Sequence, residues 1–206
     1  MTISYKTDDS FFTTVFPPFI FHGWSVKSWL INNDSAKYRY IRDHEAEQEF
    51  WNAQQIQELY PGIKLIGFAI NPWARMHYAY TQLCLMKEQS NTAIDLNQLI
   101  LNDFDSFIKS LCDKNYNGNF WFSLTTPIYK WFEYTDENGQ LKTVDYLLKD
   151  ITIEQDFKAI QDYFISDIPI SFENTISNYR QYYTDDTKNI VADIFKEDIS
   201  KFGYEF

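Results

Sequence analysis

Hydrophobic positions along the chain switch repeatedly between the periods of strand and helix. Phe11 to Phe21 reads as a short β run interrupted by Pro17 and Pro18. The stretch FIFHGWSVKSWL (19–30) follows as a strand, a glycine turn and a helix start, and Lys37 to Ile41 alternates like a short strand. Ala46, Phe50, Ala53, Ile56 and Tyr60 share one helical face, which predicts a helix from Asp43 to Tyr60 that Pro61 and Gly62 stop. Ile63 to Ile70 is nearly all apolar, the pattern of a strand buried on both faces of a parallel sheet. Pro72 stands at its favoured first helical position and opens a helix to about Glu88.

Asp95 is read as the cap of a third helix, with Leu96, Leu99, Ile100, Phe104, Phe107 and Leu111 facing inward. Asn115 to Gly118 is a turn. Ile128 to Tyr134 and Leu141 to Leu148 flank a Thr-Asp-Glu-Asn-Gly segment and predict a hairpin. Thr152 and Gln155 predict a capping box opening a helix to about Ile165, and Ser166 to Asn178 reads as a loop. The last helix spans Asp185 to Lys201, with Ile190, Val191, Ile194, Phe195 and Phe202 inward and Gly203 as its stop. There is no internal repeat and no low-complexity linker. Alternating strands and helices predict one α/β domain over residues 1–206, with a central parallel sheet plus a β-hairpin.

The composition narrows the partners. The 206 residues are enough for a full core, and 45% of them are hydrophobic. A net charge of −11 argues against nucleic acid, which requires a basic footprint. Aromatic residues reach 19%, with 18 Phe and 15 Tyr, so they either pack a bulky core or also furnish a sticky face for a sugar or a protein. Two stretches are candidates for a protein-contact face, Phe11 to Phe19 and Phe120 to Phe132. Cys84 and Cys112 are isolated, and His22, His44 and His77 are scattered, so no metal spacing is present. No apolar run approaches the ~20 residues of a membrane span, and MTISYKTDDS has no signal-peptide pattern. These features predict a cytoplasmic location without a membrane partner.

The segment FAINPWARMHYAY, Phe68 to Tyr80, joins the apolar strand to the Pro72 helix. It resembles the 3′-phosphate motif of the sulfotransferases, especially the carbohydrate and cytosolic bacterial or phage-type branch. Asn71, Pro72, Trp73, Arg75, Ala79 and Tyr80 match in register, whereas the family's first Arg falls on Ile70 and its Ser on Tyr78. In the family those two residues hold the 3′-phosphate of the sulfuryl donor PAPS (3′-phosphoadenosine 5′-phosphosulfate). VDYLLKDITIEQDF resembles the family's strand-then-helix element, matching at Val144, Asp145, Asp156 and Phe157, with Lys149 for its Arg and Ile151 for its Glu. The tail from Tyr179 to Phe206 resembles the family's C-terminal helix. The resemblance implies a three-layer, P-loop-like sulfotransferase fold over the whole chain.

Sulfuryl transfer spreads negative charge over the moving group and the leaving phosphate, so it depends on positioned cations and a base. The family's loop after the first strand supplies a Lys and backbone N–H groups. Here an ungapped register matches Gly23, Ser25, Val26, Trp29 and Leu30 to that loop, with its Lys on Ile20 and its Thr on Trp24, whereas a gapped register keeps Phe19 to Phe21 as the strand and deletes the Lys segment. Lys27, one turn into the helix, is either a surface lysine or a relocated cation. His44, followed by Glu45 and Glu47, is either a helix-start histidine or the base. Gly23, Ser25, Asn71 and Tyr78 are the remnant cofactor positions. Arg75 matches a family Arg taken as structural, and Asn174 matches a loop Asn. Tyr179, Tyr182 and Tyr183 either line an acceptor groove or form a packed aromatic belt.

Two readings follow. In the first, the chain has lost PAPS chemistry and serves as a binding or structural module with a protein partner or with itself, in a host cytoplasm or in a phage virion. In the second, it is a divergent PAPS-dependent sulfotransferase acting on a sugar or small hydroxyl acceptor.

Overall fold

A nearly continuous apolar strand is the centre of a four-stranded sheet. The computed structural model describes residues 3–6, 11–15, 52–88, 100–112, 124–161 and 178–206. The strands are β1 (Ile3–Lys6), β2 (Phe11–Val15), β3 (Lys64–Ala69) and β6 (Tyr146–Lys149), in the order β1-β2-β3-β6. β3 is parallel to both neighbours, and β1 adds antiparallel to β2. Leu65, Ile66, Phe68 and Ala69 of β3 are all buried, as the apolar run from Ile63 to Ile70 requires. The chain is therefore mixed α/β with parallel central pairing. A separate antiparallel hairpin joins β4 (Tyr134–Thr135) to β5 (Leu141–Lys142).

The described chain divides into two compact units. One comprises Met1–Ile70 with Ile128–Thr175, and the other Asn71–Pro127 with Ile176–Phe206. The first unit holds both sheets, α1 (Ala53–Leu59), α4 (Ile128–Phe132) and α5 (Ile153–Gln161). The second holds α2 (Pro72–Glu88), α3 (Phe104–Ser110), a 3-10 turn (Tyr179–Tyr182), α6 (Asp185–Ile194) and α7 (Lys196–Phe202).

Carboxylates tie the first unit's sheet to its connections. Asp145, just before β6, accepts the Leu65 N–H of β3 at 2.8 Å. Asp156 of α5 accepts both the Lys149 N–H at the end of β6 and the Thr152 hydroxyl. A hydrogen bond to a charged acceptor contributes about 1.5–3 kcal/mol, so these acids fix the approach of β6 to β3 and of α5 to β6. Both acids are positions on which the resemblance to the strand-then-helix element rests.

Several local expectations change. The third helix is not continuous to Leu111: Asp95 lies outside the described residues, but residues 100–103 are not helical, and Asp103 caps α3 by accepting the Ser106 N–H at 2.7 Å. The residues that pack there are Leu101, Phe104, Phe107 and Leu111, whereas Ile100 is exposed. Ile128 to Tyr134 is mostly the short helix α4, and Tyr146–Lys149 belongs to the main sheet, so the hairpin keeps only its turn-proximal pairs. In place of the expected capping box, the Gln155 N–H goes to the Thr152 carbonyl and the Thr152 N–H to the Lys149 carbonyl, while the Thr152 hydroxyl donates to Asp156. The helix predicted from Asp185 to Lys201 breaks at Phe195, whose backbone leaves helical geometry. Gly203 ends α7 in the left-handed conformation at φ 73°, as its position after the last apolar residue predicts. Both candidate contact stretches are described in part. Phe11–Val15 is an interior strand, and Leu124, Ile128, Trp131 and Phe132 are buried. Residues 16–19 and 120–123 of the two stretches, with the segments 19–30, 37–41 and 43–51, lie outside the described residues.

Gly67 is where β3 meets its cover. A Cβ there would stand 2.9 Å from a Phe132 ring carbon and 3.0 Å from a Val144 methyl. Gly67→Ala is therefore expected to destabilise the protein by about 1–3 kcal/mol, the usual cost of overpacking. A lowered urea midpoint at unchanged slope checks this, and an unchanged midpoint would show that Phe132 moves aside without cost.

Candidate functional site

The strand-to-helix motif gives the site its only described residues, and most of their polar groups are engaged in building the second unit. β3 ends at Ala69, and Pro72 opens α2 with no N–H to satisfy. Asn71 takes the cap position. Its Oδ1 accepts the N–H groups of Trp73 at 3.1 Å and Ala74 at 3.4 Å, and its Nδ2 donates to the Glu205 carbonyl at 2.8 Å. One side chain thus starts α2 and holds the segment after α7.

Trp73 and Arg75 extend that grip. The Trp73 indole N–H donates to the Lys188 carbonyl at 3.0 Å, and the Trp73 carbonyl accepts the Tyr183 hydroxyl at 2.8 Å. The Phe206 ring meets Trp73 edge-on at 5.5 Å, with the Lys188 ammonium 4.3 Å from the Phe206 centroid. Arg75 has no exposed surface. Its Nη1 donates to the Thr126 carbonyl at 3.3 Å, and its guanidinium lies 5.5 Å from the Phe195 ring. Burial pulls its pKa from 12.5 to about 10, and the equally buried Asp198 carboxylate pulls the other way. Arg75 therefore remains charged at neutral pH and acts inside the fold.

The other motif positions differ in kind. Ile70, on the position of the family's phosphate-holding Arg, is completely buried. Tyr78, on the position of its Ser, is half-buried, and desolvation raises its phenol pKa, so the group is neutral at pH 7. Gly23, Ser25, Lys27 and His44 lie outside the described residues, as do His22 and Asn174. Ile151, on the position of the family's Glu, is exposed.

The tyrosines before the last helices form part of an aromatic belt. Tyr179 is buried, and Tyr183 stacks edge-on against Phe104 at 4.8 Å and against Phe206 at 5.5 Å. Burial drives the Tyr183 phenol well above its ordinary value. Tyr182 is half-exposed and stacks on His77 at 4.3 Å, while Phe104 meets the other side of the cluster. Thus Tyr179 and Tyr183 pack, and Tyr182 alone of the three presents a large open surface.

Sequence reasoning missed Asp198 and Asp103. Asp198 sits three residues after Phe195 and seven after Val191, both fully buried, and that spacing was the available signal. Asp103 precedes Phe104 and stands three before Ser106, a cap signature that the longer apolar periodicity obscured.

Among the described residues, no group of three or more His, Cys, Asp or Glu is placed to hold a metal ion. No described helix is long and apolar enough to cross a membrane. No family model, no curated protein and no solved structure matches the chain.

Two measurements test this geometry. Asn71→Ala should cost about 1–2 kcal/mol through the lost cap. Asn71→Asp keeps the acceptor for Trp73 and Ala74 but loses the donor to Glu205, so its urea midpoint should fall between wild type and Asn71→Ala. Equal losses in both variants would show that the Glu205 contact, rather than the cap, dominates. His77 gives the second test. Desolvation lowers its pKa below 6.5 in the folded state, so the unfolded chain binds more protons in the interval beneath 6.5. Its contribution to stability is flat above pH 6.5 and declines as pH falls from 6.5 through the folded value. His77→Gln should flatten that part of the melting-temperature profile, and a wild-type-like slope in the variant would assign the dependence to other groups.

Proposed function

We propose that this chain is a sulfotransferase-like protein that works as a binding or structural module and no longer transfers a sulfuryl group. The observation that carries the reading is Ile70. At the position where the resembled motif has its phosphate-holding Arg, the chain has an aliphatic side chain with no exposed surface. Replacing a charge-assisted clamp with a buried alkyl group removes about 1.5–3 kcal/mol per lost hydrogen bond from phosphate recognition. Tyr78 adds a neutral phenol where the motif has a small hydroxyl, and a net charge of −11 provides no general attraction for a multiply charged nucleotide.

The motif residues that remain have structural duties that account for their presence. Asn71 caps α2 and holds Glu205, Trp73 binds the Lys188 carbonyl, and Arg75 lies beside Asp198 in the interior. Asp145 and Asp156 do the same for β3, β6 and α5. Such a chain keeps the frame of the resembled fold independently of cofactor binding. The three-layer, P-loop-like arrangement is part of the proposal. The parallel β2-β3-β6 order and the direct β3-to-α2 and β6-to-α5 connections support it. As a module, the protein acts through a protein partner or through copies of itself.

Calorimetric titration of the full chain with adenosine 3′,5′-bisphosphate tests the reading. No heat beyond dilution at millimolar ligand is expected. A micromolar dissociation constant would overturn the proposal and restore a divergent PAPS-dependent sulfotransferase.

A further inference from the structure

We draw no further inference here: the strongest candidate, the aromatic surface patch where the half-exposed Tyr182 stacks on His77 beside Phe104, is a face on which nothing in the structure shows what covers it.

Discussion

Burying one guanidinium organises the second unit. An arginine taken wholly out of water must recover its solvation from the protein, or the cost is prohibitive. Arg75 does so with the Thr126 carbonyl, the face of Phe195 and the Asp198 carboxylate. These three partners come from two distant parts of the chain, and each imposes a condition. Thr126 must present a carbonyl. Phe195 lies at the break between α6 and α7, and Asp198 follows in the first turn of α7. The interruption at Phe195 thus falls within the group that surrounds the charge. Removing either Arg75 or Asp198 leaves an opposite charge in the interior, which typically costs about 3–5 kcal/mol.

The same economy gives the polar residues that open α2 a use in the fold itself. Cap, indole and guanidinium are useful to a helix bundle in their own right. A cap satisfies orphan N–H groups, a tryptophan couples a large apolar area to one directed hydrogen bond, and an arginine reaches several acceptors at once. Ile70 has no such double use: where the motif calls for charge, it supplies only apolar bulk. The contrast between Ile70 and its neighbours Asn71, Trp73 and Arg75 is therefore more informative than the motif taken as a whole.

The strand Ile63 to Ile70 and the helix Pro72–Glu88 were legible because each is announced by a strong local rule, a continuous apolar run and a proline at the first turn. Gly203 was legible for the same reason. The misreadings arose where two local rules competed. Leu96, Leu99 and Ile100 continue the spacing of Phe104 and Phe107, so periodicity hid the cap at Asp103. Val144 to Leu148 follows a glycine turn, so it read as a hairpin arm, although Tyr146–Lys149 pairs with a strand some 80 residues earlier. Thr152 was misassigned because backbone carbonyls take both donors of the expected box, the Gln155 N–H going to the Thr152 carbonyl and the Thr152 N–H to the Lys149 carbonyl. Of the candidate site, the strand-to-helix placement of Phe68 to Tyr80 was legible, but the partners of its side chains were not. Glu205, Lys188, Thr126 and Asp198 are distant in sequence, and no local pattern announces them.

The division of each unit into two separated stretches also sets an order of events during synthesis. Ribosomes deliver chain from the N-terminus, and units fold once their parts are present. The stretch Asn71–Pro127 emerges before the first unit has received Ile128–Thr175, and it must then wait for Ile176–Phe206 to complete its own unit. Asn71 caps α2 early but finds Glu205 only 134 positions later. The indole of Trp73, the guanidinium of Arg75 and Phe104 likewise take partners from the segment 176–206. Long loop closures of this kind slow folding and prolong the exposure of sticky surface. The second unit can accordingly be completed only once the segment bearing Asp198 and Glu205 has been made.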